Sequence, residues 1–149
     1  MIKSIRKKMF LYKLFDAIYN RSKINYIKKH FWKVWNNLKI FWNIFFQKGE
    51  NIIIWDNVRL NELVLLNWAW WIEIKDNVTI SSWAQIISTW LDIKNLEKHI
   101  HIKNKIIIWK WTWICSSVII AWNIKIWEWS VISANSFLNK NVWDKELWW

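Results

Sequence analysis

One apolar position recurs every six residues along most of this 149-residue chain. An α-helix repeats near every 3.6 residues and an ordinary strand every two, so a period of six favours neither a helical bundle nor a β-sandwich. The repeat is unbroken in the C-terminal part and appears earlier in three groups of three. Its members are Val34, Ile40, Phe46, Ile54, Leu60, Leu66, Ile74, Ile80, Ile86, Ile108, Ile114, Ile120, Ile126, Ile132 and Leu138.

Three consecutive six-residue repeats make one triangular coil. The pattern therefore predicts an all-β fold, a parallel β-helix of about five coils whose inward aliphatic side chains stack into a continuous core. The groups start at positions 34, 54, 74, 108 and 126. The third interval, 34 residues, exceeds the earlier 20-residue spacing by 14. We expect this excess to form an extruded loop at about 91–105, and long loops in compact domains are usually functional.

The N-terminal segment 1–30 differs from the β-helix domain 31–149. It carries nine Lys or Arg residues against Asp16 alone, which is +8 of the net charge of +11. Two interpretations of this predicted basic amphipathic helix stay open: its apolar stripe packs on the main domain, which we favour, or it lies on an anionic membrane surface. Nucleic-acid binding is not expected, because no recognised motif accompanies the basic segment. The apolar residues at helical spacing are Leu11, Leu14, Phe15 and Ile18.

The chain lacks the usual marks of a secreted or membrane-spanning protein. Cys115 is alone, which predicts neither a disulfide framework nor a thiolate metal cluster. The basic N-terminus has no apolar region followed by a small-residue cleavage site. The longest uncharged run, 111–124, is shorter than the roughly 20 residues a bilayer span needs. We expect a cytoplasmic protein, located at the inner membrane face if residues 1–30 bind there.

The composition is unusual in having 18 Trp, one Gly and no Pro, whereas ordinary domains contain about 7% Gly and 5% Pro. Many Trp fall just after an inward position, where a coil turns and residues that tolerate positive φ are favoured. We hypothesise that most are glycines encoded by UGA, a codon that some bacteria read as Gly; the alternative is a natural aromatic-rich surface. The corner residues concerned are Trp35, Trp42, Trp55, Trp83, Trp109, Trp111, Trp122, Trp127 and Trp129.

Two segments resemble the C-terminal motif of the hexapeptide-repeat acyltransferases. Residues 106–115 read I-I-I-W-K-W-T-W-I-C, and residues 132–142 read I-S-A-N-S-F-L-N-K-N-V. The resemblance is closest to the maltose, galactoside and polysaccharide O-acetyltransferases and covers about residues 33–149. It implies a left-handed β-helix, a homotrimer, and acetyl-CoA bound in a groove between neighbouring subunits.

The resemblance also assigns residues to that groove. The matching motif implies that small or polar side chains border the coenzyme, while Lys140 meets a phosphate. Asn61 matches an acceptor-side Asn of the sugar acetyltransferases. Each also has a structural interpretation: Ala134 as a spacer, Lys140 as a solvated corner residue, and Asn61 as a corner residue. The implied coenzyme-binding residues are Trp113, Ser116, Ala134, Asn139 and Lys140, with Asn139 in place of the usual Thr.

The family's catalytic base is missing from its usual place. A sugar hydroxyl is a poor nucleophile, and a His can accept its proton as it attacks the thioester carbonyl. In the family this His follows a Thr-Gly pair, but here Leu91 stands at that point of the run 88–92. His99 and His101 lie in the predicted loop, and we favour His101 because it is nearer the returning strand. The same two residues lack a third ligand, so we expect no metal site.

The resulting functional hypothesis is an acetyl-CoA-dependent O-acetyltransferase with a His general base, acting on a sugar or surface-polysaccharide hydroxyl. Two alternatives remain open: N-acylation of an amino sugar, and a β-helix scaffold that has lost catalysis. The fold alone does not decide among them.

Overall fold

The computed structural model describes residues 18–19, 21–41, 43–67 and 70–149. Within that part, three parallel sheets form the three faces of a prism. Face A contains β1 (Lys33–Val34), β4 (Ile52–Ile54), β7 (Ile72–Ile74), β12 (Ile106–Ile108) and β15 (Lys125–Ile126). Face B contains β2 (Lys39–Ile40), β5 (Arg59–Leu60), β8 (Thr79–Ile80), β13 (Trp113–Ile114), β16 (Val131–Ile132) and β18 (Leu147–Trp148). Face C contains β3 (Phe45–Phe46), β6 (Leu65–Asn67), β9 (Gln85–Ile87), β14 (Ile119–Ile120) and β17 (Phe137–Leu138).

The chain visits faces A, B and C in turn, so every third strand pairs with the equivalent strand of the next coil. The register keeps the inward column aligned: Ile54 is opposite Ile74, and Ile74 is opposite Ile108. Five coils are complete, and a partial sixth follows in which Val142 bridges Ile126 and β18 pairs with β16. The parallel β-helix predicted from the six-residue period is confirmed.

The inward positions form the core. Thirteen of the fifteen predicted residues are buried, and the two exceptions, Val34 and Phe46, lie in the first coil at the end of the stack. A second inward row, two positions earlier in each repeat, holds small or β-branched residues such as Val58, Val78 and Val118, all fully buried. Full burial of an aliphatic side chain of this size stabilises the fold by roughly 1.5–3 kcal/mol.

The helix at residues 21–30 packs against the first coil. Ile27 and Phe31 join the core cluster, and the Phe31 ring meets the Phe46 ring edge-on with 4.8 Å between centroids. The chain's one glycine, Gly49, permits this approach, because a Cβ there would lie 2.5 Å from the carbonyl oxygen of His30. Leu11, Leu14 and Phe15 of the predicted stripe lie outside the described residues, and Ile18 is exposed.

No helix in the described part of the chain combines the length and apolar character needed to cross a bilayer. The predicted membrane contact of residues 1–30 stays a prediction, since most of that segment lies outside the described residues.

The 14-residue excess is more ordered than the irregular loop we expected. It forms an antiparallel hairpin of β10 (Thr89–Leu91) and β11 (His101–Lys103), with a 3₁₀ helix, Ile93–Lys98, at its tip. Asp92 caps that helix by accepting hydrogen bonds from the backbone N–H of Lys94 and the side chain of Asn95. The hairpin contacts the coils through Trp90, whose ring stacks on that of Trp122 with 5.4 Å between ring centroids. It begins at Thr89, two residues before the predicted start.

The corners follow one backbone rule: apart from Lys48, which precedes the 3₁₀ helix Gly49–Asn51, each described coil residue with positive φ stands three positions after an inward residue. Asn57 and Asn77 occupy such positions with φ of 58° and 59°, and so do Trp83, Trp111 and Trp129 with φ of 65°, 62° and 60°. The expectation that corner Trp need a left-handed conformation is therefore right for these three. It is wrong for Trp35, Trp55, Trp109, Trp122 and Trp127, which lie outside the left-handed region, and Trp42 lies outside the described residues.

The physical reason is the position within the corner. The residue directly after the inward side chain still donates its backbone N–H to the next coil, as Trp55 does to the Ile74 carbonyl oxygen at 2.9 Å, and the left-handed residue comes two positions later. Trp122 stands one residue before the left-handed Asn123. The resulting Trp side chains stack along the edge of the prism: the rings of Trp35 and Trp55 are 5.3 Å apart, and those of Trp127 and Trp143 are 4.9 Å apart.

Candidate functional site

The residues implied by the resemblance fall on two edges of the prism. Asn61, Ser116 and Ala134 lie at the edge joining faces B and C, because each follows a strand of face B. Ser116 and Ala134 occupy equivalent positions of consecutive coils, and the Asn135 N–H donates to the Ser116 carbonyl oxygen at 3.0 Å. Asn139 and Lys140 follow β17 and therefore lie at the opposite edge of face C.

Trp113 is held in a fixed orientation on face B. Its indole Nε1–H donates to Ser81 Oγ at 2.9 Å, while the side chain remains 53% exposed. Ser81 follows β8 and belongs to the same edge as Asn61. The indole therefore presents an open aromatic surface on face B, two coils from the predicted acceptor-side Asn. Sequence reasoning missed Ser81, although a small polar residue directly after an inward position was a usable signal.

The hairpin places His101 beside the position where the family's base is expected. In the β10–β11 ladder, His101 is the direct cross-strand partner of Leu91, the residue that stands at the family's His position. Residues directly opposite on antiparallel strands have Cβ atoms about 4.5–5.5 Å apart. The His101 imidazole therefore lies directly opposite position 91. It is on the same face of the hairpin as a His side chain at position 91 would be.

The Thr89 hydroxyl contacts both the His101 ring and the backbone of β11. Thr89 Oγ1 lies 3.3 Å from His101 Nδ1 and donates to the carbonyl oxygen of Ile102, also at 3.3 Å. A hydroxyl has one proton to donate. With that proton on Ile102, the hydroxyl can accept from Nδ1–H, which favours the neutral tautomer in which the lone pair is on Nε2. Sequence reasoning did not find Thr89 in this role.

His99 has a different environment. It ends the 3₁₀ helix in a left-handed conformation with φ of 48°, and its backbone N–H donates to the carbonyl oxygen of Leu96. His99 is exposed and lies outside strand β11, so the two imidazoles do not share a strand face. Among the described residues no group of three or more His, Cys, Asp or Glu side chains is arranged to hold a metal ion.

A buried carboxylate anchors the base of the hairpin. Glu73, outward on β7, pairs with Lys105 at 2.6 Å and with Lys75, and accepts from the Trp55 indole at 3.2 Å. Burial raises the pKa of Glu73, but the hydrogen bonds and charges of Lys105 and Lys75 outweigh it, so the pKa lies below its usual value. Lys105 is the last residue before β12, so this ion pair ties the returning strand of the excursion to the preceding coil.

Two further predicted or considered residues have simple environments. The Lys140 ammonium lies 5.0 Å from the centroid of the Trp148 ring, and its exposed position leaves it accessible to an anion. Cys115 packs against the core, and burial raises the pKa of its thiol. A raised pKa disfavours the thiolate, which supports a packing role for Cys115.

Comparisons with solved structures place this architecture among known proteins. A maltose O-acetyltransferase from Clostridium difficile 630 matches with a TM-score of 0.81 at 23% identity, over 96% of this chain and 81% of that one. A galactoside acetyltransferase in complex with coenzyme A matches with a TM-score of 0.76 at 25% identity, over 81% of this chain and 62% of that one. This chain has the left-handed parallel β-helix fold of these acetyltransferases.

A third solved structure with this fold is that of an N-acyltransferase. An N-acyltransferase from Bacillus cereus, in complex with dTDP-4-amino-4,6-dideoxyglucose and coenzyme A, matches with a TM-score of 0.63 at 18% identity, over 84% of this chain and 82% of that one. No family model matches the sequence, and no curated protein does. The similarity to known proteins is therefore detected in the structure but not by these sequence comparisons.

Proposed function

We propose that this chain is an acetyl-CoA-dependent acyltransferase that transfers an acetyl group to a sugar or surface-polysaccharide hydroxyl. The observation that carries the proposal is the rung shared by Leu91 and His101. It supplies an imidazole beside the position where the family places its base, although the motif itself lacks that residue. The likeness to O-acetyltransferases of known structure supports the same reaction class.

The His101 ring is arranged for general-base catalysis. With Nδ1–H donated to Thr89, Nε2 accepts the proton of the acceptor hydroxyl while its oxygen attacks the thioester carbonyl. The same Nε2–H then returns the proton to the departing coenzyme A sulfur. Thr89 acts through His101, by holding the ring and its tautomer.

The division of the predicted residues between two edges supports a site shared by neighbouring copies. Trp113, Ser116 and Ala134 lie on or beside the edge of faces B and C, whereas Asn139, Lys140 and the hairpin lie beyond face C. Residues on these two edges of one chain are separated by the width of that face. We therefore propose a homotrimer in which one copy's hairpin closes the groove of the next, with coenzyme A along the groove and Asn61 on the acceptor side.

N-acylation of an amino sugar is the second candidate. The N-acyltransferase of the same fold was solved with an amino sugar nucleotide, and an amine attacks a thioester with less help from a base than a hydroxyl needs. A catalytically inactive scaffold is the third candidate. The three differ in whether coenzyme A binds and in whether removal of His101 abolishes transfer.

The deciding experiment measures coenzyme A release from acetyl-CoA with neutral sugars and amino sugars as acceptors. We expect His101→Gln to lower kcat by about 10²–10⁴-fold, whereas the matched variant His99→Gln keeps it within threefold. Thr89→Val should lower kcat with little change in KM for acetyl-CoA. Equal activity of His101→Gln and the unchanged protein would exclude His101 as the base. Absence of coenzyme A binding would favour the scaffold.

We also propose that many of the Trp are glycines in the native protein. Trp83, Trp111 and Trp129 hold a left-handed backbone that costs roughly 1–2 kcal/mol for an L-residue and that glycine adopts freely. Trp35 and Trp109 bury an indole N–H without an acceptor among the described residues. Peptide mass spectrometry of the protein from its own cells should show Gly at these five positions. UGG codons there, with Trp in the peptides, would exclude recoding.

A further inference from the structure

A cavity of about 420 Å³ on face B has no role in the mechanism above. Its floor is one row of outward side chains from β2, β5, β8 and β13. The strand register places Lys39 opposite Arg59, Arg59 opposite Thr79, and Thr79 opposite Trp113. Two cations, a hydroxyl and an oriented aromatic ring therefore form one continuous surface.

The two cations lie side by side without a counter-ion. Adjacent strands are about 4.8 Å apart, and like charges at paired positions destabilise a sheet. Within the described part of the chain, Lys39 and Arg59 make neither an ion pair nor a side-chain hydrogen bond. Lys75 and Lys105 are in contrast paired with Glu73. Binding of an anion in the cavity would relieve the repulsion between the two cations.

The cavity wall at the preceding corner is uncharged and rich in donors. Asn37 and Asn57 line it, and the Asn37 amide donates to the Asn57 amide oxygen at 3.1 Å. The two carboxylates at the corners beside the cavity are engaged, since Asp56 and Asp76 accept backbone N–H groups of the preceding coil. Glu62 follows β5 at the other edge of face B and does not line the cavity. Cations, amides and a hydroxyl are the groups that bind phosphate oxygens.

We propose that this cavity binds the phosphate or pyrophosphate group of a ligand, with the attached sugar or base against the Trp113 ring. Arg59 offers a planar fork that matches two phosphate oxygens, and Lys39 supplies a second positive charge. The inference deepens the proposed function and rests on it, because Trp113 belongs to both this cavity and the implied coenzyme groove. Arg59, Lys39 and Trp113 are outside the set of Trp proposed to be glycines, whereas Trp111, which also lines the cavity, belongs to that set, so its replacement by Gly would widen the cavity at that corner.

The test uses inorganic pyrophosphate as probe, in titration calorimetry on the full chain. The double variant Lys39→Gln, Arg59→Gln should bind it at least tenfold more weakly, and wild-type binding should weaken as salt rises. Lys125→Gln is the matched control, since Lys125 is an exposed outward lysine on face A paired with Ile107. It should stay within twofold of the wild type. Equal affinity of wild type and double variant, or no saturable binding by the wild type, overturns the proposal.

A second pair of titrations identifies the source of the phosphate. If coenzyme A loses affinity in the double variant, the donor supplies the phosphate. An equal loss for dephospho-coenzyme A, which keeps the pyrophosphate, assigns the pyrophosphate, and no loss for dephospho-coenzyme A assigns the 3′-phosphate. If instead a nucleoside-diphosphate sugar loses affinity and a neutral sugar does not, the acceptor supplies it. Sedimentation velocity of both variants accompanies the titrations. The double variant could sediment differently from the wild type while binding pyrophosphate equally well. That result would show that Lys39 and Arg59 lie at an interface between copies, and it would overturn the phosphate site.

The outcome is separable from that of the proposed function. Loss of transfer in His101→Gln with unchanged pyrophosphate binding in the double variant would keep the acetyltransferase and remove the phosphate site. Pyrophosphate binding that depends on Arg59 in a protein without transfer activity would support the phosphate site alone.

Discussion

The stacked coils and the hairpin that projects from them are built on different principles. In the coils all strands pair in parallel, and from the second coil onward Ile114 and its equivalents are fully buried. In the hairpin the strands are antiparallel, and none of residues 89–105 is buried. The coils therefore carry the stability of the fold, while the hairpin can change its sequence at little thermodynamic cost. This is where we place the catalytic group, in agreement with the tendency of function to lie on loops held by a rigid scaffold.

The largest expected effect tests this division with the same substitution in each region. Ile114→Ala removes a fully buried side chain and should lower the free energy of unfolding by about 2–5 kcal/mol. Ile93→Ala, at a position 74% exposed in the hairpin, should change it by less than about 0.5 kcal/mol. Urea denaturation followed by fluorescence measures both. Comparable losses in the two variants would contradict the division.

The next largest effect concerns the link between the two regions. Glu73→Gln removes the charge that holds Lys105, and we expect a loss of about 1–3 kcal/mol. The hairpin should also become easier to cleave with protease, since its returning strand loses its anchor. Glu97→Gln, an exposed acidic residue at the hairpin tip, is the matched control and should change neither property. Unaltered protease resistance in Glu73→Gln would show that β-pairing alone holds the hairpin.

The same carboxylate predicts a dependence on pH. Because the folded pKa of Glu73 is depressed, its contribution is fully present above the unfolded pKa and is lost as pH falls through the folded pKa. Wild type should therefore exceed Glu73→Gln in stability at pH 7, and the difference should shrink below about pH 4. Urea titrations of both proteins between pH 7 and pH 3 measure this. A difference that stays constant to pH 3 would exclude an ionic role.

The smallest expected effect lies within the coils. Trp111→Gly should stabilise the fold by up to about 1 kcal/mol, because φ of 62° costs Trp more than it costs Gly. Trp55→Gly should destabilise it, since Trp55 is not left-handed and its indole donates to Glu73. Thermal unfolding of the two variants measures the sign of each change in stability. Equal signs would show that position within the corner does not decide the effect.

The six-residue period predicted the regular part of the molecule well, because one inward side chain per strand is a strictly local rule. It located the core column, the coil lengths and the 14-residue excess. It did not distinguish Trp109 from Trp111, since the two differ only in backbone conformation. It could not find the partner of Leu91 either: the pairing with His101 depends on how the hairpin folds back, and residues ten apart carry no periodic signal.

The site was predictable only where it follows the coils. Ser116 and Ala134 stand at equivalent positions of consecutive repeats, so their alignment on one edge follows from the register. Lys39 and Arg59 were not singled out, although both occupy outward positions of face B. Charge at an outward position is the usual case, and only the register between β2 and β5 shows that these two charges are neighbours.

The packing of the helix on the first coil has a consequence for the order in which the protein is made. On a ribosome the residues of the helix and of Gly49 emerge before those of the later coils, so one end of the stack can close early. Each later coil then has a finished sheet edge to pair with as it emerges, and solenoid stability is built from such nearest-neighbour interfaces. A side chain at position 49 would obstruct that first closure. The free-energy cost of that side chain would therefore act on the nascent chain before any of the remaining coils is complete.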